Sequence, residues 1–237
     1  MSISAVLDEA FHLYTRFFWR FVATAAVVFI VLDLASAFAD RASKSSVSSE
    51  FLWSLVAVVL SVVGSFWLQG ALVEAVADVR DGRIDTTIGE LYERTRPRLP
   101  ALIAAGIVAG LAIALGIILL IVPGLYLLTR WSLIPAVIVI EKCRAAEAFG
   151  RSWQLTRGYG WTVLGALIVT FLAYLIVQAV LGTLFLALPR FAAVWIGGVV
   201  AHSVATPLIA LTGAVLYFRL ARLSVGVEPA VAPEGTH

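Results

Sequence analysis

Charged residues are scarce in this chain: Asp, Glu, Lys and Arg make up only 14% of its 237 residues, whereas an ordinary soluble domain has about 25%. Asparagine is absent. Hydrophobic residues make up 61% of the chain, and the mean hydropathy is +0.99. A soluble domain of this size cannot bury so much apolar side chain. The composition therefore excludes a soluble globular enzyme, a disordered chain and a coiled coil, and it predicts an all-α fold, a polytopic membrane helical bundle.

Residues that carry chemistry are also few. Cys143 is the only cysteine, which excludes an intramolecular disulfide and a cysteine-based zinc site. The three histidines, His12, His202 and His237, are far apart in the chain, and the sequence contains neither a nucleophile elbow nor a phosphate-binding loop. We therefore expect a protein that is not an enzyme, with no catalytic residues, no metal and no cofactor.

Six apolar runs are candidate membrane spans, since a helix needs about 20 apolar residues to cross a bilayer. Their predicted bounds are Trp19–Ala39, Phe51–Ala77, Ala101–Val122, Leu125–Ile140, Trp161–Leu188 and Phe191–Leu220. Only Pro123 and Gly124 separate the third run from the fourth, which predicts a tight outer turn there. The alternative is a single broken helix in this region, which would give five spans.

The distribution of basic residues predicts the orientation, because cytoplasmic loops collect Lys and Arg. With six spans and the N-terminus inside, 13 of the 17 basic residues lie on the inner side. These are Arg16, Arg20, Arg80, Arg83, Arg94, Arg96, Arg98, Lys142, Arg144, Arg151, Arg157, Arg219 and Arg222. Only Arg41, Lys44 and Arg190 lie outside, and Arg130 lies within a span. We therefore expect both termini in the cytoplasm.

A Thr-Arg pair, preceded by apolar residues at helical spacing, stands shortly before spans one, three and five. This pattern predicts three interfacial amphipathic helices on the cytoplasmic side. It also predicts a threefold internal repeat with units of about 1–79, 80–140 and 141–223. Basic, amphipathic loops without a repeat are the alternative. Residues 1–223 would form one integral membrane domain, and residues 224–237, with their prolines and glycines, a disordered tail.

Ionisable residues inside a membrane are costly and are usually paired or functional. Asp33 and Arg130 both lie roughly 9 Å from the outer end of their spans, at about 1.5 Å per residue, so we predict a pair or a shared polar pocket. The alternative is that each side chain reaches the outer interface separately. His202 is expected near the middle of span six. There it could hydrogen-bond a carbonyl near Pro207, as expected of a lone histidine. The alternative is that it relays protons.

One stretch resembles a known family. It runs from the Pro123-Gly124 turn through an Arg-Trp pair and Glu141 to an Arg-Ser-Trp-x-Leu-Thr-x-Gly segment. The matching residues are Pro123, Gly124, Tyr126, Arg130, Trp131, Glu141, Glu147, Ala148, Arg151, Ser152, Trp153, Leu155, Thr156 and Gly158. They are similar to the bacterial membrane-domain family named after glycerophosphoryl diester phosphodiesterase. The chain lacks the catalytic barrel of some relatives, so the resemblance implies a bacterial plasma membrane protein and not that activity.

Within this stretch, opposite charges predict how the third amphipathic helix docks. Glu141 follows the inner end of span four, and Arg151 or Arg157 lies within its reach along the next helix. Ser152 and Trp153 would share the same contact. The alternative is a charged face that is merely solvated.

The functional expectation follows from the lack of reactive groups and the basic amphipathic segments. We expect an accessory, organising or lipid-handling component of the plasma membrane. The alternative is a transporter or channel for a small solute or lipid that uses Asp33, Arg130 and His202. Membrane lipids are the expected partners, a second membrane protein stays open as a partner, and nucleic acid is not expected.

Overall fold

The computed structural model describes residues 2–42, 47–80, 86–185 and 187–225. These residues are almost entirely helical and contain no strand, which confirms the all-α prediction. The helices are α1 (Ile3–Arg16), α2 (Phe18–Ala42), α3 (Val47–Arg80), α4 (Ile88–Thr95), α5 (Leu99–Leu119), α6 (Ile121–Trp131), α7 (Ile134–Ile140), α8 (Ala145–Thr156), α9 (Gly160–Leu184), α10 (Arg190–Ala192) and α11 (Gly198–Val225). A 3₁₀ turn at Arg96–Arg98 joins α4 to α5, and a π-helical segment at Ala193–Gly197 joins α10 to α11.

Six helical segments are long and apolar enough to cross a membrane, as predicted. They are Phe18–Phe38, Trp53–Arg80, Ile88–Leu119, Ile121–Ile140, Gly160–Leu184 and Arg190–Ser224. The third segment includes α4 and the 3₁₀ turn, and the fourth comprises α6 and α7. The chain is therefore a polytopic helical bundle. Helix α11 extends to Val225, so the first two residues of the predicted tail are helical, and residues 226–237 lie outside the described part of the chain.

The link between the third and fourth spans differs from the prediction. Leu120 interrupts the helix with an extended backbone (φ −157°, ψ 130°), and Pro123 and Gly124 lie in the first turn of α6. Proline is tolerated there because the first amides of a helix have no intrahelical acceptor. A β-carbon on Gly116 of α5 would lie 2.9 Å from the Cα of Gly124. The Pro-Gly pair therefore begins a helix and permits a close helix contact, whereas the turn itself is at Leu120.

Helices α1, α4 and α8 occupy the three segments predicted to be amphipathic. Helix α4 begins with a capping box, in which the Glu90 amide donates to Thr87 Oγ1 (3.3 Å) and the Thr87 amide donates to Glu90 Oε2 (2.8 Å). Each threonine of a Thr-Arg pair donates to the carbonyl four residues earlier. These bonds are Thr15 to Phe11 (3.0 Å), Thr95 to Leu91 (2.8 Å) and Thr156 to Ser152 (3.0 Å).

The long helices pack as hairpins, α2 with α3, α5 with α6 and α9 with α11. Each amphipathic helix packs against the hairpin of another unit in cyclic order. Helix α4 lies against α3, α8 lies against α5, α6 and α7, and α1 lies against α9 and α11. The threefold repeat remains a prediction, and this cyclic arrangement supports it.

Each amphipathic helix donates a hydrogen bond from a side-chain hydroxyl to a backbone carbonyl of the hairpin against which it packs. Tyr14 of α1 donates to the Val204 carbonyl of α11 at 2.7 Å. In the other two helices, Tyr92 donates to the Thr24 carbonyl and Ser152 to the Arg130 carbonyl, both at 2.6 Å. Hydrogen bonds to carbonyls are valuable inside an apolar bundle because water is not available to satisfy these groups.

The core contains two apolar clusters, and the short helix α7 is the most deeply placed element. Five of its seven residues are buried, and it lies among α3, α5, α8 and α11. In contrast, α5 and α9 expose most of their apolar residues, which is typical of surfaces that face lipid. The fourth span is therefore divided into a more exposed helix, α6, and a buried helix, α7.

Candidate functional site

The predicted pair of Asp33 and Arg130 is not formed. Asp33 of α2 bonds to His202 of α11, whereas Arg130 faces the aromatic side chains of Tyr126 and Trp153. The depth estimate failed because a depth along a span does not tell which helices lie beside it. Helix α6, which contains Arg130, packs against α5, α8 and α9, whereas α2 packs against α3 and α11. Asp33 and Arg130 therefore belong to separate polar sites.

Arg130 lies in an aromatic corner. Its guanidinium carbon is 4.9 Å from the centre of the Tyr126 ring and 5.1 Å from the centre of the Trp153 ring. The two rings meet edge to face, with centroids 5.4 Å apart and an angle of 81° between their planes. Arg130 Nη1 is buried and has no hydrogen-bond partner among the described residues. The rings therefore orient this cation without neutralising its charge.

An apolar groove of about 540 Å³ opens beside Arg130, between α6 and the start of α9. Its lining residues are Val122, Leu125, Tyr126, Thr129, Arg130, Gly158, Gly160, Trp161 and Leu164. Most of the lining is apolar, and Arg130 is its only charged residue. The groove has the size and character of a small-molecule site, which is usually an apolar concavity with a few polar groups. Its walls include Trp161, which is 87% exposed, so the groove is accessible from the surface of the bundle.

Local sequence explains how the groove is formed. Gly158 adopts a positive φ of 84°, a conformation that favours glycine, between the end of α8 and the start of α9. Gly160 carries no side chain where it faces Thr129, whose methyl group would be 4.0 Å from an added β-carbon. Ser152 Oγ donates a hydrogen bond to the Arg130 carbonyl. The Ser-Trp and Gly residues of the motif thus position α6, α8 and α9 around one opening.

The second polar site joins α2 to α11. His202 Nδ1 lies 3.1 Å from the Asp33 carboxylate, and the imidazole stacks on Phe29 with ring centroids 5.0 Å apart. Asp33 is buried, and a β-carbon on Gly198 would be 2.9 Å from its carboxyl carbon. His202 does not bond to a carbonyl near Pro207 as predicted, and the Val204 carbonyl there is bonded by Tyr14. Sequence analysis identified Asp33 and His202 as polar residues within the spans. It predicted the wrong partners, Arg130 for Asp33 and a carbonyl near Pro207 for His202.

Glu141 is the centre of the docking contact of α8. Arg151 Nε lies 2.9 Å and 3.1 Å from the two Glu141 oxygens, and the Tyr217 hydroxyl donates to Oε1 at 3.0 Å. Of the two partners considered, the structure brings Arg151 to Glu141, and Arg157 has no side-chain bond to it. The contribution of Tyr217 was missed because it lies 76 residues away. This contact connects α8 to α11.

The other motif residues have structural contacts. The Glu147 carboxylate accepts from the Arg144 amide at 3.2 Å at the start of α8. Trp131 packs edge to face on Phe149, with centroids 5.0 Å apart. Burial and the nearby Glu141 carboxylate raise the pKa of the Cys143 thiol, since both disfavour the thiolate.

An ion-pair cluster that sequence reasoning missed joins α1, α3 and α11. Glu9 binds both Arg80 and Arg219, the latter at 2.6 Å, and Arg219 also donates to the Ala5 carbonyl at 2.9 Å. A second such pair joins Arg20 to α3. These contacts connect residues that lie far apart in the chain. The only sign of them in the sequence is the amphipathic pattern of the helices. The Glu9 and Ala5 contacts fasten α1 to α3 and α11, and the Arg20 pair joins α2 to α3.

The structure contains no group of three or more His, Cys, Asp or Glu side chains placed to hold a metal ion within the residues that it describes. Most of the polar residues considered above lie between residues 36 and 213, the segment that a family model matches. No curated protein and no solved structure matches the chain. The matching model does not name the glycerophosphoryl diester phosphodiesterase membrane domain, so that resemblance remains a prediction. Because the match covers about three quarters of the sequence, the chain belongs to the Uncharacterised protein family (UPF0259).

Proposed function

We propose that this protein is a lipid-handling component of the bacterial plasma membrane and that it is not an enzyme. The observation that carries the proposal is the apolar groove between α6 and α9, which contains one cation and opens to the surface of the bundle. A membrane lipid is the most abundant apolar ligand at such a surface. The groove volume of about 540 Å³ falls within the usual range for ligand sites, about 300–1,000 Å³.

The groove contains the groups for binding and lacks those for acid–base catalysis. Hydrolysis of a lipid would need convergent acids or a nucleophile with a base. None of the nine lining residues is an acid, a histidine or a cysteine. Thr129, the one aliphatic hydroxyl of the lining, already donates to the Leu125 carbonyl at 2.7 Å. These features favour a binding role over a catalytic one.

The three amphipathic helices support lipid contact at the cytoplasmic interface. They stand beside the basic residues whose distribution predicts, by the charge rule, that both termini lie in the cytoplasm. The resemblance of residues 123–158 to the membrane domain named after glycerophosphoryl diester phosphodiesterase adds a lipid context. In this proposal the groove beside α8 faces the inner leaflet. An accessory or organising role would add a protein partner to the same arrangement.

The Asp33–His202 pair favours a second candidate function, a transporter or channel. A buried carboxylate bonded to an imidazole inside a bundle is a group that a proton pathway could use. A π-helical segment, a feature common at functional sites, immediately precedes α11 next to this pair. However, Arg130 packs against α8 while this pair joins α2 to α11, so the three polar residues do not form one site. We therefore place lipid handling first.

Native mass spectrometry of the full chain, extracted from its membrane in mild detergent, tests the proposal. We expect retained lipid on the wild type and a large loss of it in Trp161→Ala, which removes a wall of the groove. Trp19→Ala is the matched control, because Trp19 is also highly exposed (79%) but lies on α2. Equal lipid retention in both variants would contradict the groove as the site. A stoichiometric second protein would favour the accessory role.

A further inference from the structure

We infer that the groove binds the phosphodiester of an anionic glycerophospholipid through Arg130. This inference rests on the proposed function and names the lipid class. It follows from three observations. Arg130 has no counter-ion among the described residues, and the lining of the groove contains no acid. The rest of the lining is mostly apolar and reaches the surface.

The charge of Arg130 lacks a counter-ion in the described structure. No carboxylate among the described residues forms a salt bridge with it, and its Nη1 is buried without a hydrogen-bond partner. Taking a cation out of water has a large free-energy cost, whereas a cation–π contact is a weak interaction. The rings of Tyr126 and Trp153 thus offset only part of the cost. An anion in the groove would supply the missing interaction.

The chemistry of the cation favours a phosphodiester. A guanidinium presents donors in a planar fork that matches phosphate oxygens, and such charge-assisted bonds are about twice as strong as neutral ones. The two aromatic rings restrict the guanidinium and so reduce the entropy lost on binding. Arg130 is therefore a pre-oriented phosphate receptor.

The groove also discriminates between headgroups. A zwitterionic lipid adds an ammonium group, which would need a carboxylate or a free aromatic corner nearby. The lining contains no carboxylate, and the corner formed by Tyr126 and Trp153 is already occupied by Arg130. An ammonium would instead add a second positive charge beside the guanidinium. A lipid with net negative charge, such as phosphatidylglycerol, avoids this repulsion.

The apolar wall fits the chain of the lipid. Val122, Leu125 and Leu164 line the groove beyond the cation, and Val122 and Trp161 are largely exposed at its mouth. An acyl chain lying along this wall would keep the apolar surface covered while the phosphate stays at Arg130. A soluble phosphate ester has no such chain, so the site selects a lipid over a free anion.

The test compares the full chain with three variants in a zwitterionic detergent. Phosphatidylglycerol and phosphatidylcholine with identical acyl chains are titrated, and bound lipid is counted by native mass spectrometry. We expect the wild type to bind phosphatidylglycerol about tenfold more tightly, because phosphatidylcholine would bring a second positive charge beside the guanidinium, and like charges near a protein surface repel by a factor of this order. Arg130→Gln should reduce this ratio to about one, and Arg130→Lys should keep part of it. Soluble glycerol phosphate should not compete.

Arg157→Gln is the matched control, because it removes one exposed arginine next to Gly158 without touching the groove. It should keep the wild-type ratio. If Arg130→Gln keeps the ratio as well, or if Arg157→Gln loses it equally, the inference is overturned while lipid binding stands. If the wild type binds neither lipid, the proposed function fails with it. Thermal unfolding of each variant shows that it is folded, and Arg130→Lys provides the test if Arg130→Gln is not.

Discussion

Gly124 provides the sharpest test of the helix packing, because an alanine there would meet the Ile117 backbone as well as the Ile117 side chain, and the backbone cannot move aside as a side chain can. A β-carbon on Gly124 would lie 2.5 Å from the Ile117 nitrogen and 2.8 Å from its Cα. Gly110, which lies on α5 together with Ile117, has no atom within 4 Å of an added β-carbon. The two glycines differ in packing and not in residue type, so Gly110→Ala is a matched control.

The expected magnitude follows from these distances. Ordinary contacts between carbon atoms begin at about 3.5 Å. Helices α5 and α6 would therefore have to separate by roughly 1 Å to accept the methyl group. Overpacking of this kind costs about 1–3 kcal/mol, and the backbone clash puts Gly124→Ala at the upper end. Alanine returns about 1 kcal/mol of helix propensity at either position. We expect Gly124→Ala to lose about 2 kcal/mol of unfolding free energy and Gly110→Ala to gain about 1 kcal/mol.

The measurement is unfolding in mixed micelles with an increasing fraction of a denaturing detergent, followed by tryptophan fluorescence. The two variants should then differ by about 3 kcal/mol, or two orders of magnitude in the unfolding equilibrium. Equal stability of Gly124→Ala and Gly110→Ala would refute the close approach of α5 and α6. Because the lining of the groove begins at Val122 in α6, the same change should also weaken lipid retention.

Four further outcomes follow from individual contacts and side-chain environments. Tyr14→Phe should cost about 1 kcal/mol, since it leaves a carbonyl of α11 without its donor, and equal melting of variant and wild type would argue against this bond. Burial raises the pKa of Tyr14 to about 12, so its contribution to stability should be complete below about pH 10 and fall as pH rises from 10 through 12, which melting across this range measures. Asp33→Asn and His202→Gln should couple by about 1 kcal/mol in a double-mutant cycle. Asp33→Asn and Arg130→Gln should be additive. The reverse result would restore the predicted pair of Asp33 and Arg130. Cys143 should be alkylated more slowly at pH 8 than a free thiol, because its pKa is raised, and a rate equal to that of free cysteine would contradict this environment.

The motif from residue 123 to residue 158 shows what a local pattern can and cannot predict. The link from Glu141 to Arg151 was within reach because both residues lie close in sequence and a helix connects them. The pattern could not reveal Tyr217, which comes from the last helix. It also placed the turn at Pro123 and Gly124, although proline in a first helical turn is equally consistent with the same residues. Choosing between a turn and a helix start required the position of α5.

The intramembrane charges show the second limit. Counting residues gives a depth along a straight helix, but it gives neither the rotation of the helix nor a change of direction. Helix α6 packs against α5, α8 and α9, so Arg130 meets Tyr126 and Trp153 and not α2. His202 then becomes the partner of Asp33, although the two are 169 residues apart.

The sequence by itself determined the class of the protein, its six apolar spans and the places of its three amphipathic helices. These properties depend on composition and on the period of the helix, which are local. Only the tertiary structure decided that Arg130 meets two aromatic rings beside an apolar groove and that Asp33 bonds to His202. These are relations between helix faces, and they are set by side-chain packing among distant segments, which a one-dimensional pattern does not contain.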